Sequence, residues 1–144
     1  MRVLVRVLCI LTIASTAFAG ETEVKQACKG ADSGSYATYN KCSAALYKQA
    51  DGELNQAFAA VTASAQAHPS SKQVVPSLRA SQQAWLTYRE RTCELASWVE
   101  GYAGAPAKRS GCMTELARRR IKELEELRQC IKSGGFGGDC PLSQ

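Results

Sequence analysis

A serine or cysteine nucleophile needs a base held beside it, and this chain has one histidine to offer. That residue, His68, precedes Pro69 in a segment that reads as a loop. Paired acids could serve general acid–base chemistry, but Glu125 and Glu126 are neighbours in a helical pattern and so point apart rather than at a shared substrate. No glycine-rich loop precedes a helix to cradle a phosphate: the glycines at 134, 135, 137 and 138 lead only into the C-terminal tail. These residues predict no catalytic site and no enzyme.

Cysteine chemistry is more informative. Of seven cysteines, Cys9 lies in an apolar N-terminal run, leaving Cys28, Cys42, Cys93, Cys112, Cys130 and Cys140. No CxxC pair occurs among them and one histidine makes a poor ligand set, so no metal site and no cofactor are expected. An even set in a small exported domain reads as three disulfides, for which fifteen connectivities exist.

Export is read from the N-terminus. Arg2 and Arg6 precede the apolar run Val7 to Ile13, and Ala17-Phe18-Ala19 has the small-x-small pattern of a signal peptide cut after Ala19. The run is far shorter than the ~20 residues that span a bilayer, so no membrane span is expected after cleavage. A periplasmic or secreted location follows. Losing Arg2 and Arg6 lowers the 18 basic residues of the 144-residue chain to 16 against 13 acidic, a net charge of +3. That mild balance, with no interleaving of bases and aromatics, predicts no nucleic-acid partner.

The elements that position these residues are helical. Residues 20–34 show no periodicity and are expected as an extended lead-in. Ser35 can cap a first helix running to about Gln66, in which Tyr39, Cys42, Leu46, Tyr47, Ala50, Leu54, Phe58 and Val61 recur at three- and four-residue steps. A second helix spans about Val75 to Glu100, with Pro76 in its first turn; Leu78, Trp85, Thr92, Ala96 and Val99 share one face, flanked by Leu86, Tyr88 and Leu95. So wide an apolar arc predicts a central helix between two partners. After Gly101 to Pro106, a third helix runs from near Ala107 or Ser110 to Ile131, burying Met113, Leu116, Ala117, Ile121, Leu124, Leu127 and Ile131. Arg118-Arg119-Arg120 reads as part of a solvated face. The fold class is all-α: a three-helix, up-down-up antiparallel bundle stapled by disulfides, over residues 35–131, with a Gly-rich tethered tail at 132–144.

The motifs Tyr47-x-x-x-Asp51-x-Glu53-Leu54-Asn55, Ala80-x-Gln82-x-Ala84-Trp85-x-x-Tyr88-Arg89-x-x-x-Cys93 and Cys112-x-x-x-Leu116-x-x-x-Arg120-x-x-Glu123-Leu124 together resemble the LprI-like domain family. The resemblance covers about Cys28 to Leu127. It implies an exported helical domain stabilised by disulfides, without enzymatic activity, and lysozyme inhibition for some members. The sequence departs from the family pattern in carrying Cys130 and Cys140, Ser81 where alanine is common and Thr38 where an acidic residue often completes a capping box.

Antiparallel packing of the first two helices makes neighbours of positions whose numbers sum to about 138. Arg89 is then expected to donate to Asp51, and Asn55 to pair with Gln82, in a polar bridge that sets helix register; Arg120 can join from the third helix. Loops between helices bring cysteines close in sequence together, which favours Cys28–Cys42, Cys93–Cys112 and Cys130–Cys140. The surface left for recognition is the loop from Trp98 through Tyr102 to Lys108 and Arg109. Against a lysozyme, Lys108 or Arg109 could meet the paired carboxylates of a glycoside hydrolase while Tyr102 enters the sugar cleft. The resulting expectation is an inhibitor of a cell-wall glycoside hydrolase such as a lysozyme. The alternative is a structural or adaptor module of the envelope that binds another protein without blocking it.

Overall fold

A computed structural model of the chain describes residues 20–98 and 103–133. All regular structure among them is helical: α1 (residues 20–27), a 3-10 turn at Ala31–Ser33, α2 (Tyr36–Gln66), α3 (Ser71–Trp98) and α4 (Ala105–Lys132). The all-α expectation holds, but the described residues form four helices rather than three.

The added helix, α1, stands where an extended lead-in was expected. Eight residues are too few for helical periodicity to assert itself, and the segment is held instead by tertiary bonds. Ala27 is buried, Cys28 is joined to Cys42 of α2, and Lys48 pairs with Glu23 at 2.7 Å. Gly30 and Gly34 both have positive φ (77° and 80°), which lets the chain reverse twice around the 3-10 turn before entering α2.

Ser35 caps α2 as its residue type predicts: its Oγ accepts from the Thr38 N–H at 3.5 Å. The turn into α3 explains the lone histidine. His68 Nδ1 accepts from the Ser70 N–H at 3.1 Å and His68 O from the Ser71 N–H at 3.0 Å, so α3 starts at Ser71, four residues before the sequence suggests. Pro76 therefore lies in the second turn; its missing N–H leaves the carbonyl of Lys72, an exposed residue, to water. At the other end α4 starts at Ala105, with Pro106 in its first turn, where a missing N–H costs nothing.

Direction is set by cross-helix contacts. Cys93 with Cys112, Glu90 with Arg109 and Gln82 with Arg120 make α3 antiparallel to α4. The starts of α2 and α4 meet, because Asn40 Nδ2 donates to Ala103 O at 3.4 Å and a Cβ added at Gly104 would stand 4.0 Å from the Tyr36 ring.

The expectation of α3 as a central helix between two partners is overturned. Packing is most extensive between α2 and α4, whose facing stripes include Ala50, Ala65 and Ala117, each at most 2% exposed. Small side chains allow the two axes to approach, while α3 contributes Gln82 and Arg89 to its own buried face and leaves Tyr88 and Leu95 in solvent. One apolar cluster gathers Ala50, Leu54, Val61, Ala65, Leu78, Ala117, Leu124 and Ile131; a second holds Cys93, Met113 and Leu116, and Trp85 packs against both. Leu124 is 1% exposed in the first cluster, so Leu124→Ala is expected to cost about 3 kcal/mol, read as a lower urea midpoint at unchanged m.

Near the end of α4, Arg128 donates to both carboxylate oxygens of Glu125 at 2.7 and 2.6 Å, and Gln129 adds a third bond at 3.2 Å. Those hydrogen bonds, Arg128 first, hold the Glu125 carboxyl at about 2 against an ordinary 4.5. A depressed folded value means that the contribution to stability is complete above the ordinary value and is lost as pH falls through about 2. Proton titration by NMR is expected to show the Glu125 midpoint near 2, and Glu125→Gln to abolish the dependence of stability on pH that this group contributes over that acid range.

Candidate binding surface and the polar rung behind it

The middle of the bundle is crossed by a charged rung. Arg89, on α3, has a side chain only 7% exposed; its Nη1 donates to Asp51 Oδ1 of α2 at 2.7 Å and its Nη2 to the Tyr47 hydroxyl at 3.4 Å. From α4, Arg120 donates through Nε to Gln82 Oε1 (3.2 Å), through Nη1 to Glu123 (2.8 Å) and through Nη2 to Ser81 Oγ (3.2 Å). Both guanidiniums lie over the Trp85 ring, with Cζ 5.2 Å (Arg89) and 5.8 Å (Arg120) from its centroid. Two cations share one indole and are balanced by two carboxylates, Asp51 and Glu123. Arg89 Nε is buried without a hydrogen-bond partner, so part of the desolvation cost of this guanidinium is met by ring contact alone. Burial raises the Tyr47 phenol above its ordinary 10.0, opposed by the neighbouring charge of Arg89.

The bond from Arg89 to Asp51 is the one that antiparallel register suggests, and Arg120 does join from the third long helix. Asn55 does not: it is exposed, and Gln82 turns to Arg120 instead. One residue beyond buried Leu54, Asn55 is rotated about 100° off the inward face. Tyr47 was missed as a partner of Arg89, although its place one turn before Asp51 is the signal for it. Glu123 and Ser81 were likewise missed as partners of Arg120. The rung draws side chains from all three long helices: Arg89 and Arg120 are largely buried, while their partners Asp51 and Glu123 stay partly open to solvent.

Two disulfides join described residues: Cys28–Cys42 ties α1 to α2, and Cys93–Cys112 ties α3 to α4. Cys130 is also disulfide-bonded, while Cys140, its expected partner, lies outside the described residues. So do the expected leader at residues 1–19, and Tyr102. Among the described residues no group of histidine, cysteine and acidic side chains is placed to hold a metal ion, and no helix is long and apolar enough to cross a membrane.

The structure distributes the other expected binding residues differently from a loop. Trp98 ends α3 and is 74% exposed, while Lys108 and Arg109 belong to the first turns of α4 because that helix begins early. Lys108 is exposed; Arg109 is ion-paired with Glu90 across the α3–α4 junction. Beside Trp98 the same helix exposes Leu95 (69%) and Tyr88 (56%), two residues that the width of the apolar arc assigned to a covered face. Tyr36 (61%) and Tyr39 (51%) stand exposed at the start of α2, at the same end of the bundle as Trp98.

Comparison with known proteins bears on what such a surface is for. The model of a family described as "Lysozyme inhibitor LprI" matches residues 28–124, from the first disulfide through the rung and the main apolar cluster. The chain belongs to the LprI family. An uncharacterized protein of Rhizobium meliloti (strain 1021) is 34% identical over 105 residues, which is 65% of this chain and 74% of the relative. No solved structure matches. The matched segment of this LprI-family chain begins at Cys28 and contains every residue of the rung, including Tyr47, Asp51, Gln82, Trp85, Arg89, Arg120 and Glu123.

Proposed function

We propose that the chain is an exported, non-catalytic inhibitor that binds a cell-wall glycoside hydrolase of the lysozyme kind and blocks it. The observation that carries this reading is the family match over residues 28–124, which takes in most of the helical body. Two features of the chemistry support it. His68 is engaged in the α2–α3 turn and five cysteines are disulfide-bonded, so a cysteine nucleophile with a histidine base is not assembled among the described residues. A bundle with cross-links at both α1–α2 and α3–α4 also presents a preorganised surface, which lowers the ordering cost of binding.

The contact region of this inhibitor takes in Trp98, Lys108 and Arg109 at one end of the bundle, together with Tyr102 from the sequence between them. Arg109, held by Glu90, serves more to orient that end than to reach a partner. The protein acts in the periplasm or outside the cell after loss of its leader. Its positive balance of charge, +3 once Arg2 and Arg6 leave with the leader (16 basic against 13 acidic residues), gives no long-range attraction to a basic lysozyme. That one feature favours the second reading, an envelope adaptor that binds a protein without inhibiting it. A cell-wall clearing assay separates the two: oxidised mature protein at micromolar excess is expected to slow clearing by at least one of a panel of lysozymes, and an unchanged rate with every one of them would reject inhibition.

A further inference from the structure

Along α3, Ala84, Tyr88, Arg91, Leu95 and Trp98 follow one another at steps of four, three, four and three, the spacing of a single helix face. All five are exposed, Arg91 with 79% of its side chain in solvent. The bundle core draws Leu78, Gln82, Arg89 and Cys93 from another arc of the same helix, so this stripe has no covering element among the described residues. Tyrosine, tryptophan and arginine are the residue types in which binding energy concentrates. The helix beneath them is fixed by the Cys93–Cys112 disulfide and by the bond from Arg89 to Asp51.

We propose that this convex ridge is the part of the protein that enters the substrate cleft of the hydrolase, with Arg91 delivered to the carboxylates of the cleft and Tyr88 and Trp98 packed on either side of it. The inference rests on the inhibitor reading and extends the contact region from the end of the bundle along α3. Its geometry suits a glycoside hydrolase. From Tyr88 to Trp98 the ridge runs about 15 Å, long enough to cover both catalytic carboxylates, which stand roughly 5 to 9.5 Å apart in such enzymes. Arg91 sits between the two aromatic positions and, among the described residues, is paired with Glu94 at 3.2 Å in an exposed pair that water already weakens. Its planar fork can exchange that partner for a carboxylate of the cleft and bind it through two parallel hydrogen bonds. The apolar rings around it exclude water from the new pair, as a hot spot requires.

The test uses the full oxidised protein and a hydrolase that it inhibits. Arg91→Glu and Leu95→Lys change exposed side chains and are expected to raise the concentration for half-inhibition about tenfold or more, with melting temperature unchanged. Arg119→Glu, exposed on α4, is the control and is expected to leave inhibition as it was. Hydrogen exchange on the unaltered protein gives an independent readout: residues 84–98 should gain protection when the hydrolase binds. Full inhibition by both ridge variants, or no added protection over residues 84–98, would overturn the ridge while leaving the inhibitor reading in place. Failure of the unaltered protein to inhibit any hydrolase would overturn both. Loss of a dimer in sedimentation on Leu95→Lys, with inhibition intact, would assign the ridge to self-association and overturn the inference as well.

Discussion

Asp51→Ala is expected to destabilise the protein by about 3 kcal/mol, and Arg89→Met by only about 1 to 2, although the two substitutions break the same ion pair. The difference lies in what each leaves behind. Without Asp51, the Arg89 guanidinium remains in a site where its side chain is 7% exposed, with the Tyr47 hydroxyl at 3.4 Å and two rings as its remaining company. Without Arg89, the Asp51 carboxylate is 34% exposed and water can take the vacated position, while a methionine stem replaces much of the lost packing against Trp85. Urea unfolding of both variants measures the two costs. Equal losses would mean that Arg89 finds water when unpaired, and that the rung is wetter than its burial indicates.

Replacing both Cys93 and Cys112 by alanine is expected to cost about 3 kcal/mol, since the bond closes a loop across 19 residues of sequence separation. In a domain of this size that corresponds to a fall of roughly 10 °C in melting temperature. Cys93 is 0% exposed and packs with Met113 and Leu116, so the loss also opens space inside the smaller apolar cluster. Because the same bond fixes the C-terminal part of α3 against α4, the variant should also bind a hydrolase target more weakly at temperatures where it is still folded. A melting temperature within a few degrees of the parent would show that packing of Met113 and Leu116 holds this end of the bundle without the cross-link.

Local periodicity and helix register made part of this structure readable in advance. Ser35 as a cap, the stripe through Leu54 and Val61, and the approach of Arg89 to Asp51 each depend on spacing within one helix or on a simple antiparallel alignment of two. Three other features depend on things that spacing does not carry. Helix α1 exists because Cys28 and Glu23 are bound to α2, and an eight-residue segment has no period long enough to announce it. Gln82 bonds to Arg120 rather than Asn55 because helix crossing decides which neighbour a buried amide meets. Tyr88 and Leu95 look like core residues in sequence, since an apolar residue on a helix flank reads the same whether a third helix covers it or solvent does. The close pairing of α2 with α4, built on Ala50, Ala65 and Ala117, leaves that flank of α3 open.

Occupation of the hydrolase cleft is the central claim, and competition calorimetry tests it most directly. Oxidised protein titrated into a lysozyme that it inhibits is expected to bind one to one, and to lose that binding when the cleft is first filled with a chitooligosaccharide. Binding of undiminished strength to the oligosaccharide-filled enzyme would contradict it, placing the contact elsewhere on the hydrolase.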